Sequence, residues 1–332
     1  MLNKVQEKSY KLIQADARFV YTLTRILRSP NAPKSSYLMM LQPFIGLFAD
    51  GSEQWGRKVK IDTPAFSEEE KDHYIKMRNS IKLFDMTYDE LYNTLKNTLD
   101  ESDIHFYDAR TPMSKLHGLY YNVGVDLLGN TFCGNTILCS IYAPFFKFNY
   151  KQYGKYLKNT SIVVGKLAAA YGGNSTRPYS VNDDLTFRYK DYHFFNKCPR
   201  GIKSYDDFLL FSILCSVNFV RIFINQYFVD EFPTKLRFAY LQYYYLTTLI
   251  PEMNQKLAAN FTINPQYKDI KFRNCMAHYG LGAALKEADI IENDMFFGLS
   301  NKLLDMSYIE IKTAIYSELD LFSEQLTKHL LL

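Results

Sequence analysis

The sequence predicts an all-α protein, and three observations carry that reading. Apolar residues recur at three- and four-residue spacing through most of the chain, the period of a one-sided helix. Three capping boxes mark helix starts: Ser67-Glu68-Glu69-Glu70, Thr87-Tyr88-Asp89-Glu90 and Ser307-Tyr308-Ile309-Glu310. In each, the hydroxyl accepts from an otherwise unpaired N–H and the glutamate accepts in return. Strand-like alternation is scarce, its best stretch being Leu185–Phe195.

Along the chain, three breaks interrupt the helical pattern. The first is RSPNAPKSS at 28–36, and the second runs from Ala49 to Pro64 around Gly51 and Gly56. The third, Tyr171 to Asp184, clusters turn residues and precedes a change in charge balance. It divides the chain into a mostly helical region, 1–190, and a C-terminal bundle, 200–332. In the bundle, a first helix spans Tyr205 to Val229, with Ser204 as N-cap and two aspartates in its first turn. A second runs from Pro233 or Thr234 to about Ala259. A third starts at Asn264-Pro265 and stops near Gly280, with Gly280 and Gly282 as terminators. A fourth follows Ser307 with one apolar stripe, Ile311, Ile315, Leu319, Phe322 and Leu326. Four antiparallel helices with a long last connection form a four-helix bundle.

Composition narrows the class. With 332 residues, 47% of them hydrophobic and 22% charged, the chain is neither disordered nor short of core. Net charge is +4, unevenly placed: residues 1–200 carry 27 basic against 20 acidic side chains, residues 201–332 carry 12 against 15. The basic front half suits a polyanionic partner. Five cysteines without a CxxC pair argue against a zinc ribbon or disulfide scaffold, and no metal or cofactor is expected. The start has no apolar signal segment, so a cytoplasmic setting is expected. The apolar run FLLFSILCSVNFVRIFI is broken by Asn218 and Arg221 and reads as a buried bundle helix rather than a membrane span.

Chemistry concentrates in the third bundle helix, KFRNCMAHYG. Asn274 and His278 are one turn apart and share a face, with Arg273 at its edge. Imidazole titrates near neutrality and serves as general acid or base. A guanidinium binds a phosphate and stabilises its growing charge. The amide can orient the imidazole or hold the phosphate. That set suits RNA cleavage by the ribose 2′-hydroxyl, which needs no metal. Asp269, four residues before Arg273, also permits an ion pair that would make the face structural.

Arg-Asn-x-x-x-His inside a late helix of a four-helix bundle resembles the HEPN superfamily (higher eukaryotes and prokaryotes nucleotide-binding). Its active members share an Arg, four to six residues, then His, often with a polar residue directly after the Arg. The resemblance covers residues 200–332. It implies a metal-independent endoribonuclease acting on an RNA substrate, with Arg273, Asn274 and His278 as the catalytic set. It further implies a homodimer whose motif helices meet in one cleft, used in toxin–antitoxin, abortive-infection or CRISPR-linked antiviral defence. A non-catalytic RNA- or nucleotide-binding or adaptor module is the alternative. Two other Arg-to-His spacings, Arg188–His193 and Arg110–His117, lack the Asn and read as incidental.

The front region offers Lys147, Lys151, Lys155 and Lys158 interleaved with Phe146, Phe148, Tyr150, Tyr153 and Tyr156. That mixture can track phosphates and stack bases, or can be an amphipathic helix with buried rings. A region gating a nuclease would bind an inhibitory or activating protein. No phosphate-binding GxxxxGK[ST], HExxH or GxSxG pattern occurs.

Overall fold

Each of the three capping boxes starts a helix. Glu70, Glu90 and Glu310 accept from the backbone N–H of Ser67, Thr87 and Ser307 at 2.8, 2.9 and 2.7 Å. In the computed structural model, which describes residues 2–27, 37–116, 121–143, 150–194 and 201–332, the chain is mostly α-helical, as its periodicity predicts. The front region holds α1 (Lys4–Leu27), α2 (Tyr37–Met40), α3 (Gln42–Val59), α4 (Glu68–Asn79), α5 (Tyr88–Asp108) and α6 (Pro112–Leu116). After a β-hairpin come α7 (Thr136–Tyr142) and α8 (Tyr150–Ala170). The C-terminal part holds α9 (Tyr205–Asn218), α10 (Pro233–Leu257), α11 (Ile270–His278), α12 (Leu299–Leu304) and α13 (Tyr308–His329).

Two expectations about the front region are corrected. The break at 49–64 is mostly helix, because α3 continues through Gly51 and Gly56 to Val59. Gly46 and Gly51 in α3 make room for packing rather than for a turn. A Cβ at Gly46 would lie 2.3 Å from the Arg78 nitrogen on α4, and one at Gly51 would lie 2.9 Å from the Ala277 carbonyl on α11. Close approach of backbones on two sides outweighs about 1 kcal/mol of lost helix propensity per glycine.

The second correction is a small sheet. Leu185–Phe195 does contain a strand, β3 (Phe187–Tyr192), but it pairs with a hairpin, β1 (Val123–Leu128) and β2 (Thr131–Asn135). The order is β2-β1-β3, all antiparallel, with Val125 opposite Asn135 on one side and Lys190 on the other. Gly129 (φ 61°) and Asn130 form the two-residue turn, where a positive φ favours glycine. The break at 28–36 lies outside the described residues.

In the C-terminal part, Ser204 caps α9 by accepting from Asp207 N at 3.1 Å. The helix then widens without a break into a π-helical stretch, Phe219–Tyr227. Tyr205–Tyr227 is long and apolar enough to cross a membrane, yet 89% of its most apolar window is buried in the protein. Its polar residues face partners inside the fold. Arg221 pairs with Asp320 of α13 and donates to Asn218 Oδ1 (2.7 Å) and Ser323 Oγ (2.6 Å). The stripe on α13 is fully buried, and α13 packs on α9 and α10. The long last connection carries α12 and two short 3-10 turns.

The core runs from the front region into this bundle. Phe19 of α1 sits 5.3, 5.4 and 5.9 Å, centroid to centroid, from the rings of Phe228, Phe232 and Phe238. α1 packs on α10, and α3 packs on α11.

Candidate functional site

The helix that carries Arg273, Asn274 and His278 begins later than expected. Asn264-Pro265 opens only a 3-10 turn, Pro265–Tyr267, and Asp269 is the true cap of α11, accepting from Phe272 N at 2.6 Å. Tyr240 Oη fixes this start by accepting from Asp269 N and donating to Tyr267 O, both at 2.9 Å. Asp269 accepts at the cap through Oδ1, and the guanidinium of Arg273 turns instead to Asn274 and Tyr245. Phe272, Cys275 and Met276 form the buried face of α11, while Asn274 is exposed and Arg273 and His278 are half-buried.

The helix also ends one residue early. Tyr279, not Gly280, takes the left-handed conformation (φ 54°). A non-glycine residue there costs about 1–2 kcal/mol. Burying a whole tyrosine ring offsets it. That ring is 1% exposed, lies 4.4 Å from the Arg237 guanidinium, and its hydroxyl donates to Asp16. Arg237 Nε donates to Met276 O at 2.8 Å, a cation where the helix dipole is negative.

Within the site, Arg273 donates to Asn274 Oδ1 at 2.9 Å and to the Tyr245 hydroxyl on α10, while its Nε has no partner. Its guanidinium lies 5.5 and 5.9 Å from the rings of Tyr245 and Tyr244. The amide oxygen of Asn274 thus accepts from Arg273, and no hydrogen bond joins Asn274 to His278 Nδ1. His278 keeps its Nδ1 buried and without a hydrogen-bond partner. Burial pushes its pKa below the usual 6.5, the positive charges of Arg78, Arg273 and Arg237 add to the shift, and Asp50 opposes it. These effects favour the neutral imidazole, the form that accepts a proton.

Arg78 and Asp50 reach this place from the front region. They form an ion pair at 3.0 Å, and Gln54 Nε2 donates to both Asp50 oxygens at 2.8 Å. Gly46 seats α4 on one side of α3, and Gly51 seats the end of α11 on the other. Tyr245, Arg78 and Asp50 escaped sequence reasoning, because no local signal joins residues this far apart in the chain.

The remaining expected residues lie elsewhere. Lys147, and the side chain of Lys151, are outside what is described. Lys155 pairs with Glu69 at 2.8 Å and Lys158 is exposed, both on α8, which packs on α1 and α4. Tyr156 of the same helix is buried, its hydroxyl donating to Gln42 Oε1 at 2.9 Å. Arg188 is exposed on β3 and bonds Asn130, whereas His193 is buried. Arg110 donates to the Phe106 and Tyr121 carbonyls, and His117 lies outside the described residues. His73 is packed, its Nε2 2.9 Å from Thr160 Oγ1. Cys133, Cys139, Cys215 and Cys275 are buried free thiols. Among the described residues, no cluster of three or more His, Cys, Asp or Glu is placed to hold a metal ion.

Compared with known proteins, the chain matches no family model, no curated protein and no solved structure.

Proposed function

We propose that the chain is a metal-independent endoribonuclease of the HEPN type. The observation that carries this reading is the presence, on one helix, of a half-buried imidazole whose Nδ1 is unpartnered and a half-buried guanidinium whose Nε is unpartnered. His278 takes the proton of a ribose 2′-hydroxyl as general base. The 2′-oxygen attacks the adjacent phosphorus, the bond to the 5′-oxygen breaks, and the imidazolium formed by taking the 2′-proton gives that proton to the leaving 5′-oxygen. The products are a 2′,3′-cyclic phosphate and a free 5′-hydroxyl. Arg273 holds the phosphate and stabilises the charge that gathers on its oxygens. Asn274 and Tyr245 hold Arg273 in place.

A homodimer would supply a second Arg273/His278 set, and RNA would be the partner in the cleft. Use as a toxin or abortive-infection effector in the cytoplasm rests on the motif's resemblance alone. An inhibitory or activating protein would act through the front region, since α3 bears directly on the end of the motif helix.

The test is RNA cleavage in EDTA by wild type, His278→Ala and Arg273→Ala. Loss of the general base costs about 10²–10⁴-fold in rate while RNA binding by His278→Ala stays near wild type. Undiminished cleavage by His278→Ala sinks the proposal and favours the binding-module alternative.

A further inference from the structure

We infer that Tyr244, Thr248 and Lys268 form a subsite that stacks one unpaired base of a ribonucleotide beside the phosphate held at Arg273. The inference rests on the nuclease reading and names what that site selects. In the run Tyr243-Tyr244-Tyr245, the two outer rings are buried and their hydroxyls are engaged, Tyr243 by the Asn264 carbonyl and Tyr245 by Arg273. Tyr244 alone of the three is half-exposed. Tyr245 meets it edge-on, at 5.6 Å and 88°.

Two cations converge on that ring. Lys268 Nζ lies 5.1 Å and the Arg273 guanidinium 5.9 Å from its centroid. Lys268 is steadied by donating to Thr248 Oγ1 at 2.7 Å, one helical turn beyond Tyr244 on α10. Lys268, on a long flexible side chain, can leave the ring for a phosphate, exchanging a weak cation–π contact for a charge-assisted hydrogen bond, while Arg273 stays beside the ring, held by Asn274 and Tyr245. An aromatic face flanked by two phosphate-binding cations is the arrangement that takes a single-stranded nucleotide: the ring stacks the base and the cations hold the phosphates on either side. Beyond Lys268 an open cavity of about 710 Å³, lined by Gln266, Asp269, Asn301 and Lys302, gives the strand room to continue. A base inside a duplex is already stacked on both faces and cannot reach Tyr244.

The experiment measures binding of a labelled 12-nucleotide RNA by fluorescence anisotropy, as a single strand and as a duplex, to full-length protein carrying His278→Ala. Added to that background, Tyr244→Leu keeps the apolar volume and removes the π-face. It is expected to weaken single-strand binding about 5- to 100-fold, whereas Tyr244→Phe stays within about twofold. Lys268→Ala is expected to lower the slope of binding against salt by about one phosphate contact. Thermal unfolding of each variant separates lost binding from lost fold. Binding by Tyr244→Leu equal to its parent, or a duplex bound as tightly as the single strand, overturns the subsite. If wild type cuts RNA and Tyr244→Leu binds normally, the subsite fails and the nuclease stands. If wild type does not cut but single-strand binding depends on Tyr244, the subsite stands as a binding site and the nuclease reading fails.

Discussion

Asp16 of α1 and Arg237 of α10 form a buried ion pair that ties the front region to the end of the motif helix, and breaking it is expected to cost more than any surface change. Their side chains are 3% and 6% exposed. Asp16 accepts from Arg237, Tyr279 and Thr234, while Arg237 also donates to Met276 O. Removing one charge strands the other in the core, a loss of about 3–5 kcal/mol. That is a large part of a typical folding stability of about 5–15 kcal/mol and lowers Tm by about 10 °C. Asp16→Leu and Arg237→Met should each show this loss in urea unfolding at unchanged slope. The double variant should lose less than both together, with a coupling of about 2 kcal/mol, because an apolar pair leaves no stranded charge. Arg237→Met should also fray the last turn of α11 and slow cleavage through His278. Single variants that each cost under about 1 kcal/mol, or costs that simply add, would refute the reasoning.

Further outcomes are expected. Gly51→Ala should destabilise by about 1 kcal/mol net, since overpacking against the Ala277 carbonyl exceeds the gain in helix propensity; Gly165→Ala, with open space around its Cβ, should stabilise by about 0.5–1 kcal/mol, both read by chemical denaturation. Burial drops the His73 pKa from 6.5 to about 4 in the folded protein, so its contribution is fully present above pH 6.5 and is lost as pH falls towards 4. That loss amounts to about 3 kcal/mol, and His73→Gln should remove it from the stability–pH curve. Arg78→Gln removes a charge that holds the His278 pKa down and frees Asp50 to raise it, so the imidazole titration followed by NMR should move up. An unchanged or lower value would contradict the electrostatic coupling of Arg78 to His278.

What was legible in the sequence is what a few neighbouring residues decide. The capping boxes, the Ser204 cap and the α13 stripe are local signals, and each produced its helix. Where a distant partner decides, sequence reasoning erred. Gly51 looks like a breaker until the backbone of α11 is laid against it. Tyr279 looks unsuited to a helix terminus until Asp16 and Arg237 are seen holding its hydroxyl. The β1–β2 hairpin has a Gly129-Asn130 turn between apolar runs, a short-range hairpin signal of the same local kind. At the site, the motif residues were visible as a set. Their surroundings were not: Asn274 serves Arg273, and Asp50 and Arg78 arrive from more than half the chain away.

The most direct test of the proposed chemistry pairs an RNA oligomer that wild type cuts with the same oligomer carrying a 2′-deoxyribose at the cut position, both in EDTA, with analysis of the ends. The account expects 2′,3′-cyclic phosphate and 5′-hydroxyl ends from the first, and an intact but still bound second strand. Cleavage of the deoxy-substituted strand, or ends bearing a 5′-phosphate, would contradict it.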